Sequence, residues 1–278
     1  MWHNILYLHH GMAKTFSTII TADYYPKAFA LYTSLKKFDP FAKLQVLVSD
    51  NKAVTMALPP AEGITIINAL ELAGYSLVNE LGDKYAPTNP DFFRWSLKPV
   101  FISWLLENGF TKVLYADCDM FFFNDYNFLF DELDGSSVLL TPNWINSDPL
   151  VDKESFFSLF TSGLFSAGFI GANRQALPAL NWWARACHFM MGEHIQHGIR
   201  DDQKYLDVFP VKFETTKIIR HRGCNIGAWN YEECKRELVG GNVMINGVYP
   251  VIFVHFDGMM VQGILRGYDK LLRGVFGS

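Results

Sequence analysis

At 278 residues, half of them apolar and 15% aromatic, the chain is long enough to bury a sizeable core, and its net charge of −4 offers no basic field for nucleic acid. Four cysteines, at 118, 187, 224 and 234, include no C-x-x-C pair, which argues against a zinc ribbon or a disulfide framework, although Cys224 and Cys234 could meet in an oxidising setting. Residues 1–12 lack the charged-then-apolar layout of a leader, and no window reaches the ~18 apolar residues of a membrane span, so a soluble cytoplasmic protein is the expectation.

Residues 1–14 read as a tail ahead of one domain at 15–258. Within it, 16–22 reads as a strand, 26–38 as a helix with Pro26 in its opening turn, 44–49 as a strand ending at Asp50, and 64–68 as a third strand. A helix is expected over 70–81, a turn at Pro87-Thr88-Asn89-Pro90, and a helix over 92–108 closed by Gly109. The run at 112–116 is the next strand. Alternating strands and helices predict an α/β fold with a mostly parallel central sheet, since parallel neighbours need helical crossovers. The second half is less regular: strands at 137–141, 164–172, 217–221 and 251–256, and helices at 175–191 and 201–209. Residues 259–278 carry apolar side chains at 261, 264, 265, 268, 271, 272 and 275 opposite Arg266, Lys270 and Arg273, an amphipathic helix that docks on its own domain or lies on an anionic membrane.

The chemistry concentrates at Asp117-Cys118-Asp119, directly after the apolar strand at 112–116 and therefore at the carboxyl end, where open α/β sheets hold ligands. Two acids one residue apart point to the same side of an extended backbone and can share a hard cation, leaving its other positions to phosphate oxygens. With 17 Asp in the chain, about one such pair arises by chance, so context carries the reading. Met120-Phe121-Phe122-Phe123 is apolar again, and carboxylates interrupting a buried run are costly unless paired or metal-bound. The competing reading makes them caps of a short helix over 127–133.

Other polar residues carry two readings each. Asp23 bonds a ligand's base or caps the helix opening at Pro26; Asp50 ends a strand at the ligand edge. Arg94 and Lys98 share one helix face aimed at the acids, for phosphate or ribose contact or as a solvated face. Asp202 and Gln203 serve a reaction, or Asp201 and Asp202 face a helix dipole. Trp144, Trp182, Trp183 and Trp229 stack on a sugar or fill the core. His188, Glu193, His194 and His197 form a histidine-rich stretch, a zinc site or a solvated helix end.

With these residues in place the chain resembles the metal-dependent GT-A glycosyltransferases, most nearly glycosyltransferase family 8 and related bacterial transferases. Thr21-Ala22-Asp23-Tyr24-Tyr25 is similar to the family's uridine-contacting segment, residues 112–119 to its "viYlDaD" block, Ser166-Ala167-Gly168-Phe169-Ile170 to its "NaGf" strand, and Asp202-Gln203 with Leu206 to its "DQ..lN" helix. Val254-His255-Phe256-Asp257-Gly258 resembles the block that returns a histidine to the metal, and Asn225-Ile226-Gly227-Ala228-Trp229-Asn230 a segment near the donor. The resemblance implies a Rossmann-like GT-A fold and a nucleotide-diphospho-sugar donor, UDP-sugar foremost, held through manganese or magnesium. It places Asp119, His255 and Asp117 on the metal, and Thr21, Ala22, Asp23, Tyr25, Asp50, Arg94, Lys98, Asp117, Cys118, Ser166, Gly168, Trp229 and Gly258 around the donor. Asp202 is a base in an inverting reaction; in a retaining one, as in family 8, Asp202 or Gln203 steadies the anomeric carbon. The acceptor is a hydroxyl of a carbohydrate, a lipid-linked sugar or a protein, and the context polysaccharide assembly, at the inner face of the membrane if the tail reaches it. An imidazole ligand favours manganese over magnesium.

Two positions depart from the family. Met259-Met260-Val261-Gln262-Gly263 stands where a Lys-Pro-Trp usually holds the diphosphate, leaving Gln262, Arg266, Lys98 or Arg94 as substitutes; Ser166 replaces the asparagine of "NaGf". A nucleotidyltransferase or phosphatase also pairs aspartates with magnesium. The mid-chain motif, Phe121 in its fifth place, and Asp23-Tyr24-Tyr25 where a glycine-rich loop would stand weigh against both. A non-catalytic nucleotide-sugar binding module is the third reading.

Overall fold

The first strand, β1 (Lys14–Ile20), buries every residue after Lys14, and β2 (Leu44–Val48) and β4 (Lys112–Ala116) bury all of theirs, so these runs sit inside a sheet covered on both faces. The computed structural model describes residues 14–50, 61–194 and 197–256. Between those strands run α1 (Tyr25–Lys36), β3 (Ile64–Asn68), α2 (Ser76–Tyr85) and α3 (Pro90–Glu107). After β4 come β5 (Met120–Phe122), α4 (Asn127–Asp131), β6 (Val138–Pro142), α5 (Lys153–Thr161), β7 (Phe165–Asn173) and α6 (Leu177–Phe189). The rest is β8 (Glu193–His194), β9 (Ile199–Arg200), α7 (Phe209–Lys212), β10 (Thr216–Ile218), β11 (Arg236–Val239), β12 (Asn242–Ile245), β13 (Tyr249–Pro250) and β14 (Phe253–His255).

Seven strands form the central sheet in the order β10-β6-β7-β4-β1-β2-β3, and all neighbours run parallel except β7, which is antiparallel to both β4 and β6. One core lies between the sheet and α2, α3 and α6 (Leu97, Phe101, Leu105, Trp183, Phe209). The other lies under α1 and α4, where Phe16 meets Phe122, Tyr126 and Phe130 edge-on at 5.5, 4.8 and 5.4 Å.

Several expected elements differ. The helix expected over 70–81 is a 3-10 turn, Ala69–Leu72, boxed by Asn68 and Glu71, and then α2, with Gly74 between them. The helix expected over 201–209 is a 3-10 stretch, Gln203–Val208, running into α7. Helix α5, which the sequence expectations did not include, is capped by Asp152 on the Ser155 amide at 3.0 Å and fully buries none of its residues, though Phe156, Phe157, Leu159 and Phe160 fall at helical spacing. The hairpin β11–β12 turns at Gly240-Gly241, both at positive φ (58° and 84°), a glycine pair between apolar residues that signals a hairpin in sequence. All four cysteines are free, Cys224 and Cys234 included. Among the described residues no helix is long and apolar enough to cross a membrane. The tail at 1–12 and the amphipathic stretch at 259–278 lie outside the described residues.

Candidate metal centre at the carboxyl edge of the sheet

Strand β4 delivers Asp117 to the sheet's carboxyl edge, where its amide still bonds the Gly168 carbonyl of β7 (2.8 Å). The backbone then turns. Met120 N bonds Asp117 O (3.1 Å), so the two acids converge because a tight turn carries them, not because an extended backbone sets them on one side. They do not cap the following helix; Asp125 takes the Asn127 amide at 2.8 Å.

The turn hands the chain to β5, held to α1 by a bond from Phe122 N to Ser34 Oγ (3.0 Å). β14 then pairs antiparallel with β5, setting His255 opposite Met120, while Phe256 N bonds Asp119 O (2.9 Å) and His255 N bonds Ile226 O (2.8 Å). Phe253 stacks on Phe169 at 4.6 Å beneath this junction. Ligand atoms of Asp117, Asp119 and His255 consequently lie within 4.8 Å of one another, and they are the group among the described residues able to share an ion. Of the two readings of the histidine-rich stretch, the zinc site finds no cluster among the described residues; His188 lies 3.6 Å from Glu80.

Their surroundings fit a divalent cation. Asp119 Oδ1 and His255 Nδ1 are buried without a hydrogen-bond partner, and Asp119 Oδ1 sits 3.3 Å from His255 Nε2. Gly168 leaves the necessary space: a Cβ there would stand 2.6 Å from His255 Cε1 and 2.9 Å from Asp117 Oδ2. One nitrogen and carboxylate oxygens suit manganese.

No family model matches the sequence. The chain is 28% identical to the uncharacterized protein YfnF of Bacillus subtilis strain 168 over 259 residues, 91% of this chain and 84% of that one. It is 29% identical to the uncharacterized protein YfnD of the same strain, over 87% of this chain and 77% of that one. Among solved structures it superposes on apo mouse xyloside xylosyltransferase 1 with a TM-score of 0.53 (14% identity, 89% of this chain and 98% of the other). An active-site mutant of LgtC gives 0.50 (17% identity, 88% and 87%). The chain has the GT-A fold.

On the GT-A sheet, α3 aims Lys98 from behind at the acids. Its Nζ lies 3.1 Å from Asp202 Oδ2 and 3.5 Å from Asp117 Oδ2 and donates to Ala167 O at 3.2 Å, with the residue 4% exposed. Burial pushes the Lys98 ammonium down, but Asp117 and Asp202 outweigh it and hold it above the ordinary lysine value. Burial pushes Asp117 up, and Lys98, then His255, then the Tyr115 hydroxyl (2.6 Å to Asp117 Oδ1) reverse that, leaving it below the ordinary carboxylate range. For Asp202 burial prevails over Lys98, and its carboxyl is raised. Burial and the two flanking acids push the Cys118 thiol up to about 12.

The remaining expected residues fall into groups. Trp183 is core, its indole donating to Asp202 O (2.9 Å) and bracing the turn in which Asp201 takes φ 48°. Trp182 packs against Tyr205, Phe209 and Phe213. Gln203 is committed at both ends, Oε1 accepting from Ala167 N (3.2 Å) and Nε2 donating to Ser162 O (2.7 Å). Ser166 is buried and accepts from Gly168 N (3.2 Å).

At the end of β1, Thr21 is half-buried and Ala22 and Tyr25 are buried, and Ala22 N donates to Asp50 Oδ1 (3.0 Å), tying the ends of β1 and β2 together. Asp23 is exposed in the 3-10 turn Ala22–Tyr24; the N-cap of α1 is Tyr24, so the capping role expected of Asp23 does not hold. Arg94 pairs with Asp91 (2.8 Å), and its charge reaches Asp117 and Cys118. Trp229 abuts His255. Gly258, Gln262 and Arg266 lie outside the described residues. Sequence reasoning missed the Lys98 triad, although a lone lysine within Leu97-Lys98-Pro99-Val100-Phe101-Ile102 was a signal for a buried, paired cation.

Proposed function

We propose that this protein is a metal-dependent glycosyltransferase that moves a sugar from a nucleotide-diphospho-sugar, UDP-sugar foremost, to a hydroxyl of a carbohydrate, lipid-linked or protein acceptor. The observation that carries the reading is the convergence of Asp117, Asp119 and His255 at the carboxyl edge of a GT-A sheet, with Asp119 Oδ1 buried and partnerless and His255 Nε2 facing it. These three residues would hold manganese or magnesium, which when bound stabilises the charge building on a departing diphosphate without a proton.

The chain's own groups divide the remaining work. Lys98 fixes Asp117 from behind, so its carboxylate is ionised and oriented before any ligand arrives. Arg94, half-buried beside the acids, is the cation best placed for the phosphates. Thr21, Ala22, Asp23, Tyr25 and Asp50 line the ends of β1 and β2 as the nucleoside side, with Cys118 between the acids. Asp202 is 4% exposed and bound to Lys98, a poor position from which to take an acceptor's proton. That supports retention over inversion, with Asp202 and Gln203 as the polar wall beside the anomeric carbon.

The test is thermal shift of the full chain with UDP-sugars, with and without MnCl2, and donor turnover in wild type and Asp119→Ala. A donor that binds the folded state raises the melting temperature. The reading predicts manganese-dependent stabilisation and donor turnover, both lost in D119A. Stabilisation that ignores manganese and survives D119A overturns it; metal-dependent binding without turnover makes the chain a binding module.

A further inference from the structure

A metal-binding histidine usually donates its second ring nitrogen to a carboxylate or carbonyl, which fixes the plane of the ring. His255 has no such partner: Nδ1 is buried and unbonded, and Nε2 faces Asp119. Its backbone is pinned by β5 and Ile226, but those bonds leave the side-chain torsions free.

Two neighbours restrict the ring. Gly168 lies so close that a single added Cβ would stand 2.6 Å from His255 Cε1. Trp229 meets the imidazole edge-to-face, with centroids 5.4 Å apart and planes at 88°. Trp229 is itself held firmly. Its indole donates to Asn143 O (2.8 Å) at the end of β6, and Asn143 is 5% exposed and bonded to Gly163 O (2.9 Å). The 3-10 turn carrying it, Ala228–Asn230, is anchored from β11, where Arg236 donates to Gly227 O (2.6 Å) and Asn230 Oδ1 (3.2 Å). Gly227 has no room for a side chain, because the Trp229 ring stands 2.3 Å from where a Cβ would be.

We infer that Trp229 is a positioning residue that orients His255 by ring contact in place of a hydrogen bond, and that the small sheet β11–β13 anchors it through Arg236. The inference rests on the metal reading above and departs from the expectation that Trp229 stacks on the donor sugar. An edge-to-face contact leaves Nδ1 and Nε2 chemically undisturbed while fixing the plane in which the imidazole lies.

The experiment is an electron paramagnetic resonance titration of free Mn2+ against the full chain in the presence of UDP, in wild type, H255A, W229F and W229L, with the melting temperature of each metal-free variant measured alongside. Loss of a residue that orients a ligand costs about 10–100-fold in metal affinity. W229L is expected to bind Mn2+ at least tenfold more weakly than wild type. W229F keeps a ring but loses the anchor to Asn143, and is expected to weaken only about threefold. Equal affinity in W229L and wild type overturns the inference, as does a W229F loss as large as that of W229L, since the ring face would then be irrelevant. Should W229L fail to fold, W229F decides alone, and unchanged affinity overturns the inference. If wild type and H255A bind Mn2+ equally, it is the metal reading that fails; if they differ while W229L matches wild type, only the role of Trp229 falls.

Discussion

Replacing Lys98 with methionine keeps the length of the side chain and removes the charge that buried Asp202 and half-buried Asp117 share. At an effective dielectric of ~20, an ammonium 3.1 Å from Asp202 and 3.5 Å from Asp117 is attracted by about 5 kcal/mol to each, most of it offsetting the cost of burying the three charges. Removing one member of such a group leaves the others uncompensated, and the expected loss is about 3–5 kcal/mol. Its pH dependence follows from Asp202, whose carboxyl burial already raises against the opposition of Lys98. Without Lys98 the folded-state value climbs further above the unfolded one, near ~4, so the fold of the variant gains a proton and loses stability as pH rises through that interval. Asp117, depressed chiefly by Lys98 against its burial, adds wild-type stability that is present above the unfolded value and lost as pH falls through the folded one. Both effects shrink the penalty on acidification, but that of Asp117 sets in only below the unfolded value, so between about pH 8 and about pH 4.5 the change is that of Asp202. Urea unfolding with EDTA present should show the full difference at about pH 8 and a clearly smaller one at about pH 4.5. A difference under about 1 kcal/mol at pH 8, or one that does not shrink with acid, refutes the triad as the account of this lysine.

Gly168→Ala should weaken Mn2+ binding and destabilise the fold by about 1–3 kcal/mol, because the new methyl stands 2.6 Å from His255 Cε1; paired metal titration and urea melts check it. Gln203→Leu should cost about 2 kcal/mol or more in urea unfolding, since Ala167 N and Ser162 O both lose their partner. The Cys118 thiol, pushed up to about 12, should react with a thiol reagent at about pH 8 at least a hundredfold more slowly than free cysteine despite its partial exposure; a fast native thiol that C118S removes would contradict this.

The parallel strands were legible because they are short runs rich in β-branched and apolar residues between helical segments, and the acids were legible because they interrupt such a run. What sequence spacing could not supply was the route by which His255 arrives. That route is the antiparallel pairing of β14 with β5, whose cause is packing of Phe253 against Phe122 and Phe169 rather than anything local to residues 251–256. The inference that alternate residues share a side failed at Asp117 and Asp119 because a turn, not an extended strand, holds them. Helix α5 and the β11–β12 hairpin were both missed although each left a signal, Phe156, Phe157, Leu159 and Phe160 at helical spacing behind the Asp152 cap and Gly240-Gly241 at the turn.

The two acids of the motif are not equivalent, and the asymmetry is built into their neighbours. Asp117 is spoken for on every side: Tyr115 donates to one oxygen, Lys98 faces the other, and its amide completes the pairing with β7. Asp119 has an oxygen that is buried, unbonded and turned to His255. On the proposed reading, a cation would find in Asp117 a carboxylate already ionised and oriented, and in Asp119 one whose burial is unrewarded until something positive arrives. The unrewarded burial of Asp119 Oδ1 is then what would draw a cation to the site, and the network behind Asp117 is what holds that carboxylate in place.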